Sequence, residues 1–308
     1  MEKTSSVAKE NLLPHEEPVL TSTIHSPTRV FLALLLGNAT LAFGALLVRF
    51  SDTGPVATGF WRLAIAAPFL LILARQFGQP IGGLPWKTLG MVVIGGLFFA
   101  ADIAAWHTGI LMTKLGNATL FGNCASLILV AYGLILARQR PGRNTILAIL
   151  MAFAGAILVM GRSYEASHEN LIGDLLSLLA GVLYTGYVIA LQRARSSMGN
   201  WAVLALSTIA SMFPLLLFAM AMGEQIMPTD WTPLILLAIS SQLIGQGLLI
   251  YALPHVSPLV VGLTLLLQPA IAAFAGWFFF NETIGPIEIV GMILVGVALV
   301  LVRAPEKA

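Results

Sequence analysis

The stretch that decides the fold is residues 231–281, WTPLILLAISSQLIGQGLLIYALPHVSPLVVGLTLLLQPAIAAFAGWFFFN. It contains no Asp, Glu, Lys or Arg, so it cannot supply a water-exposed surface. A helix that crosses a bilayer needs roughly 20 mostly apolar residues, and this stretch is long enough for two. The prolines Pro254 and Pro258 predict the reversal between them, because proline ends one helix and is tolerated at the start of the next. Two adjacent transmembrane helices are therefore expected, at 231–252 and 256–280.

The rest of the chain has the same apolar character. Of its 308 residues, 58% are hydrophobic and 10% are charged, and the mean hydropathy is +0.90. A soluble domain carries about 25% charged residues. Apolar runs predict ten spans in all, at 31–48, 56–74, 87–108, 112–137, 144–161, 171–191, 200–221, 231–252, 256–280 and 285–302. The expected fold class is an all-α membrane protein with ten transmembrane helices, surrounded by the lipid bilayer.

The basic residues predict the orientation. With ten spans, 12 of the 16 Lys and Arg residues fall on the side that carries both termini. The other four are Arg49, Arg62, Lys114 and Arg162. Because basic loops stay in the cytoplasm, both termini are expected there, with the protein in the cell (inner) membrane. The polar residues 1–28 are expected to form a flexible cytoplasmic tail that lacks the pattern of a cleaved signal peptide, and 304–308 a short C-terminal tail.

A weak internal repeat appears at an offset of 145 positions. Across residues 86–132 it needs no gap, and it aligns Asn123 with Gln268. Chance agreement between two leucine-rich stretches is the alternative. A true repeat would divide the chain into five-helix units at 29–163 and 164–303, which must enter the membrane from opposite sides because five is odd. Inverted repeats of this kind are a transporter design, with the substrate site near the midplane where the repeats meet.

Four short motifs are distributed over the expected spans. They are Phe60-Trp61-Arg62 in the second, Gly173-Asp174-Leu175-Leu176-Ser177-Leu178-Leu179-Ala180 opening the sixth, Gln268-Pro269 in the ninth and Asn281-Glu282 at its end. With these motifs the chain resembles the drug/metabolite transporter superfamily, in particular its EamA-like members, over residues 30–303. It departs from them at Phe43-Gly44, where relatives often have Trp-Gly, at Cys124 in place of a proline, and at Ala137-Arg138 in place of a terminal Glu. The resemblance implies export or exchange of small metabolites, commonly amino acids and related compounds.

Asp102 is the only acid well inside an apolar span. An acid at that depth is costly and usually faces the bundle interior. We interpret it as a proton-coupling carboxylate or as an anchor for a substrate ammonium group, the alternative being a structural acid paired with Arg49 or Arg62. Trp106 follows one helical turn later on the same face, where its ring suits a cationic or amphipathic solute or serves as an interfacial anchor. Arg62 is interpreted as structural, its side chain reaching the headgroups.

Uncharged polar side chains complete the candidate substrate-binding set. They are Gln242, Gln246, Gln268, Asn123, Asn38, Tyr184 and Tyr187, in addition to Trp106. Gln242 and Gln246 are spaced i,i+4, so a regular helix would place them on one face. Amides donate and accept hydrogen bonds without carrying charge, which suits a polar or zwitterionic solute, while bonds between helices are the alternative. Pro269 leaves a backbone carbonyl without its helical partner and is a candidate hinge.

Several function classes lack sequence support. There is no P-loop, no HExxH, no GxSxG and no set of residues at metal-ligand spacing, and the single cysteine excludes a disulfide framework. No cofactor, metal, nucleic-acid partner or enzymatic activity is expected.

The sequence instead predicts a secondary-active or facilitative transporter of a small-molecule metabolite that works by alternating access. Protons are the candidate coupling ion, and the oligomeric state stays open between monomer and homodimer. One alternative is a nucleotide-sugar or sugar-phosphate exchanger of the same superfamily, which would want Lys or Arg at mid-depth to hold phosphate; the last three spans contain none before Arg303. A receptor or scaffold is the other alternative.

Overall fold

The computed structural model describes residues 27–125, 128, 142–252 and 267–301. In these ranges the secondary structure is helical, with no strand. The helices are α1 (Pro27–Phe50), α2 (Pro55–Gln76), α3 (Trp86–Met112), α4 (Leu115–Gly122), α5 (Arg143–Ala166), α6 (His168–Met198), α7 (Asn200–Ala221), α8 (232–252), α9 (Leu267–Phe280) and α10 (Pro286–Leu301). Helix α8 has three consecutive parts, an α-helix Thr232–Leu237, a π-helix Ala238–Gly245 and an α-helix Gln246–Ala252.

Helix length and composition make this an integral membrane protein. Six helices are long and apolar enough to cross a membrane, at Thr28–Phe50, Pro55–Gln76, Trp86–Met112, His168–Leu191, Asn200–Ala221 and Thr232–Leu249, and three more apolar helices are shorter. Large apolar side chains such as Trp277 and Phe153 are exposed on the outside of the bundle, where acyl chains would cover them. The prediction of an all-α membrane protein is confirmed.

Some predictions fall on residues outside the described ranges. The fourth expected span, 112–137, is described only as far as 125 and at 128, so the count of ten spans stays a prediction. The reversal at Pro254 and Pro258 lies outside the described residues, as do 304–308 and all but the last two residues of 1–28.

The main packed pairs of helices follow a regular pattern. Six of these pairs correspond two by two: α3–α6 corresponds to α1–α8, α3–α7 to α2–α8, and α1–α9 to α4–α6. The pairs α2–α7, α4–α9 and α5–α10 also pack together. Exchanging every helix for the one five places away therefore returns this set of main pairs, although within the described residues the smaller contacts α2–α3 and α5–α6 are not matched by comparable contacts α7–α8 and α10–α1. Helices α1–α4, α6, α8 and α9 reach the centre of the bundle.

The contact between α5 and α10 depends on two glycines. A Cβ added at Gly155 would lie 2.6 Å from the backbone oxygen of Gly291, and one added at Gly291 would lie 2.9 Å from that of Gly155. The two backbones therefore approach more closely than any larger residue allows. Small residues at such contacts let membrane helices gain van der Waals packing, which helps to hold them together where no hydrophobic force acts between them.

Charged side chains tie helix ends together at one end of the bundle. Arg49, at the end of α1, forms an ion pair with Glu282 and donates to the backbone oxygens of Ile110 and Thr113. Glu282 also accepts from the backbone N–H of Leu115 at the start of α4. Lys114 pairs with Glu288 at 2.5 Å, and Glu224 accepts from the backbone N–H groups of Val56 and Ala57. We call these contacts together the charged cap.

Candidate functional site

A cavity of about 160 Å³ lies at the centre of the bundle. It contains two charged side chains, Arg62 from α2 and Asp102 from α3. Its other polar or aromatic lining includes Trp106, Asn123, Tyr184, Gln246 and Gln268. Six residues predicted from the sequence thus face one space, and they come from five different parts of the chain. Arg62 is the addition that sequence reasoning missed.

A larger crevice of about 470 Å³ opens between α3, α6 and α7. Its lining is aliphatic and aromatic apart from Thr108, with Leu97, Leu179 and Phe218 among the residues that contribute. Such a surface matches acyl chains and offers nothing to orient a polar solute. The central cavity, although smaller, is therefore the candidate site.

Arg62 does not extend to the headgroups as its sequence position suggested. Its side chain is only 4% exposed, and its Nε donates a hydrogen bond to Oε1 of Gln242 at 3.2 Å. The Nε2 of Gln242 in turn donates to Oγ1 of Thr208 on α7 at 3.2 Å. The interpretation of Arg62 as a snorkelling residue is wrong, because polar partners on α7 and α8 hold its side chain inside the bundle.

Asp102 faces Arg62 across the cavity without pairing directly. The two opposite charges attract each other, yet the ion pairs within 4 Å among the described residues are the two of the charged cap. Within the described part of the chain the Asp102 carboxylate also accepts no hydrogen bond, whereas Arg49, its other proposed partner, pairs with Glu282. Asp102 thus lines the cavity without a hydrogen bond or a close ion pair to the described residues.

Three amides form a chain along one wall. The Nδ2 of Asn123 donates to Oε1 of Gln268 at 3.5 Å, and the Nε2 of Gln268 donates to Oδ1 of Asn38 at 2.6 Å. Asn38 is fully buried, donates to the backbone oxygen of Leu34, and lies behind the cavity wall. The chain links α1, α9 and the end of α4, and it orients the amide of Gln268.

The two predicted glutamines of α8 have different surroundings. Gln246 lines the cavity, whereas Gln242 is fully buried and bonded to Arg62 and Thr208. The π-helical part of α8 contains Gln242 and ends just before Gln246. Because π-helical bonding runs from i to i+5, the regular i,i+4 face expected from sequence does not hold here. Short π-helical segments occur frequently at functional sites.

The remaining candidates lie at or behind the wall. Tyr184 lines the cavity and contacts the ring of Tyr187, with 5.5 Å between ring centroids. Tyr187 is buried, stacks on Phe99 with centroids 4.6 Å apart, and its hydroxyl is 3.5 Å from Oγ of Ser207. Pro269 is buried near the start of α9. The residues immediately before α9 lie outside the described ranges, so the hinge stays a prediction.

No group of three or more His, Cys, Asp or Glu side chains is placed to hold a metal ion within residues 27–125, 128, 142–252 and 267–301. The chemistry that the cavity offers is recognition: one guanidinium, one carboxylate, an indole ring and several amides, on walls of packed helices.

Comparison with known proteins gives the chain its relatives. The family model for EamA-like transporters matches twice, at residues 28–161 and 171–304. The chain is similar to the pseudopaline exporter CntI of Pseudomonas aeruginosa, with 23% identity over 288 residues that cover 90% of this chain and 96% of that protein. It is also similar to the threonine/homoserine exporter RhtA of Escherichia coli, with 28% identity over 145 residues, 47% of this chain and 49% of that protein.

A solved crystal structure has the same fold. The TM-score is 0.62 at 18% sequence identity, with 89% of this chain and 96% of that chain covered. The two family matches cover most of the sequence, and the two relatives described above are exporters. The chain belongs to the EamA-like transporter family of the drug/metabolite transporter superfamily.

Proposed function

We propose that this protein exports or exchanges a small polar metabolite of the amino-acid type, and that the central cavity is its substrate site. The observation that carries the proposal is the meeting of Arg62, Asp102 and a set of amides in one space between apolar helices. Charged groups at membrane depth are costly, and they commonly mark substrate or ion pathways. No other described cavity of this chain combines both signs of charge within the bundle centre.

The packing of the helices supports a transporter built from two inverted five-helix repeats. The main packed pairs are unchanged when each helix is exchanged for the one five places away, and one family model matches both halves. The proposed units are 29–163 and 164–303. They would rock about the cavity and open it to each side in turn, as inverted repeats do in other transporters. Both termini would lie in the cytoplasm.

The relatives support the class of solute. One is named for pseudopaline and another for threonine and homoserine. The alternative function, a sugar-phosphate exchanger, has one point in its favour. Arg62 supplies a cationic group for a phosphate, whereas α8–α10 contribute no cationic group to the cavity. Against it, the carboxylate of Asp102 lines the same cavity and would repel a phosphate dianion.

Asp102 is the proposed site of proton coupling. Its carboxylate has no partner among the described residues and faces the cavity, so it is free to hold either a proton or a cationic group of the solute. A carboxylate that exchanges one for the other would couple export to proton entry. The sequence predicts this role because Asp102 lies well inside an apolar span. Its position in the cavity wall, without a hydrogen-bond partner among the described residues, is a second reason.

Counterflow in proteoliposomes tests the proposed function. Liposomes that contain the purified protein and an excess of one unlabelled amino acid should accumulate the labelled form of the same amino acid. The matched control is the double variant Arg62→Gln/Asp102→Asn, which removes both charges from the cavity but leaves its net charge unchanged. Counterflow should disappear in this variant. No counterflow by the wild-type protein for any amino acid contradicts the proposal, and equal counterflow by both proteins excludes the cavity as the route.

A further inference from the structure

We infer that Arg62 is the carboxylate-binding group of the substrate site, and that Arg62 and Asp102 together select solutes that carry both charges and no net charge. This inference rests on the proposed function, because it assigns the parts of the same cavity. Arg62 and Asp102 are thereby the residues that determine specificity, although Arg62 looks purely structural in the sequence.

The hydrogen bonding of Arg62 leaves its binding edge available. A guanidinium has five N–H donors in a planar fork, and within the described residues only Nε is engaged, by Gln242. Neither terminal nitrogen is among the fully buried side-chain atoms that have no hydrogen-bond partner. Arg62 also lines the cavity. We therefore assign the two terminal nitrogens to a solute in the cavity, because two N–H donors of one guanidinium can bind a carboxylate through two parallel hydrogen bonds.

The guanidinium is also held in place. Gln242 accepts from Arg62 and donates to Thr208, so one hydrogen-bond chain runs from α7 through the π-helical part of α8 to α2. All three side chains are at most 4% exposed. A binding group whose position is fixed by supporting residues loses less entropy when it binds. Gln242 is thus a positioning residue for Arg62.

The balance of charge decides which solutes fit. A solute with only a negative charge gains from Arg62 but brings its charge close to Asp102, and a solute with only a positive charge meets the opposite problem. A zwitterion satisfies both groups, and Trp106, which also lines the cavity, is of a residue type whose ring attracts ammonium groups. Leaving either buried charge without a partner is costly, so the bound complex favours a solute that is neutral overall but charged at two points.

Three classes of probe separate the contributions of the two residues. The proteinogenic amino acids with uncharged side chains carry both charges, their amides keep only the ammonium group, and their N-acetyl derivatives keep only the carboxylate. Wild-type proteoliposomes should prefer the best amino acid over its amide and over its N-acetyl derivative by about tenfold or more, as expected for one lost charge-assisted contact.

Single substitutions should change the preference in opposite directions. Arg62→Gln should lose the preference for the amino acid over its amide and keep the preference over the N-acetyl derivative. Asp102→Asn should do the reverse. Arg62→Lys keeps the charge without the planar fork and should recover part of the discrimination against the amide. A change in preference cannot arise from misfolding, which lowers uptake of all three classes alike.

The outcomes distinguish failure of this inference from failure of the proposed function. A wild-type protein that transports amino acids without preferring them to their amides contradicts the inference alone. Arg62→Gln with wild-type preferences also overturns it, since Arg62 would then be structural. A wild-type protein that moves none of the three classes contradicts the proposed function and, with it, this inference.

Discussion

At the scale of single residues, the surroundings of Arg62 explain how a cation is tolerated inside the bundle. A buried charge without partners carries a high desolvation cost. Gln242 binds one edge of the guanidinium, Asp102 offsets the charge from the same cavity, and the cavity itself admits a solute. Asp102 has no such hydrogen bond within the described residues. Its carboxylate therefore depends most on what occupies the cavity, whether water or solute.

Gln246 and Gln268 should contribute to transport more than to stability. Hydrogen bonds between membrane helices average about 0.6 kcal/mol, so loss of one amide should leave folded protein in the membrane. Gln246→Ala or Gln268→Ala should lower the initial rate of counterflow several-fold, because both side chains line the cavity. Size-exclusion profiles in detergent report folding alongside the rates. Normal transport by both variants would make these residues packing contacts only.

Asp102→Asn should separate coupling from exchange. The substitution keeps the shape of the side chain but removes the group that holds a proton. Stimulation of transport by a proton gradient should vanish, while counterflow at saturating amino acid should survive at least in part, because exchange needs no net proton movement. Both assays are run on the same proteoliposomes. Equal loss in the two assays argues against coupling, and unchanged stimulation by the gradient removes Asp102 from the mechanism.

At the scale of elements, the features that position the site are irregular or closely packed. The π-helical part of α8 directs Gln242 toward α2 and α7, while the α-helical part that follows presents Gln246 to the cavity. The expected fourth span began at 112, whereas α4 begins at Leu115. The intervening residues are held by Arg49 and Glu282, which bind the backbone at Thr113 and Leu115.

The contact between α5 and α10 should be sensitive to a single methyl group. Gly155→Ala would place its Cβ 2.6 Å from the backbone oxygen of Gly291, and overpacking of this kind typically costs about 1–3 kcal/mol. Gly90→Ala is the matched control, because a Cβ at this helical glycine meets nothing within 4 Å, and alanine favours a helix by up to about 1 kcal/mol over glycine. The apparent Tm in detergent should fall for Gly155→Ala and hold or rise for Gly90→Ala. Equal Tm values would show that α5 and α10 can separate without cost.

At the scale of the whole molecule, the structure has a charged cap at one end and a polar cavity at the centre. The cap joins the ends of α1 and α3 to the starts of α4 and α10, through Arg49, Lys114, Glu282 and Glu288. The proposed topology places this cap on the side away from the cytoplasm. Helices that rock around the cavity would have to release these contacts to open it on that side.

Labelling of single cysteines tests the orientation. In a Cys124→Ala background, Glu169→Cys lies at the start of α6 and is exposed, so an impermeant maleimide should label it in intact cells. Gln76→Cys, at the other end of the bundle and also exposed, should react only after permeabilisation. The reverse pattern would invert the topology inferred from the basic residues, and labelling of both sites in intact cells would mean that the membrane was leaky.

The sequence by itself determined those properties that depend on local composition. Helix α7 spans Asn200–Ala221, the same bounds that its apolar run predicts, because the length of a membrane helix follows from the thickness of the hydrocarbon core. Asp102 was also visible as a candidate, because an acid in the middle of an apolar run stands out in the sequence. The composition alone was enough to establish an all-helical membrane protein.

Only the tertiary structure decided which side chains share the cavity. Arg62 and Gln242 are 180 residues apart in sequence, and Asn38 and Gln268 are 230 apart. Whether a polar residue faces the cavity, another helix or lipid depends on how each helix is rotated about its axis. That rotation is set by packing against helices distant in the chain and, in α8, by a π-helical segment that no regular periodicity predicts. For this reason Arg62 looked structural in the sequence, whereas it lines the central cavity in the folded protein.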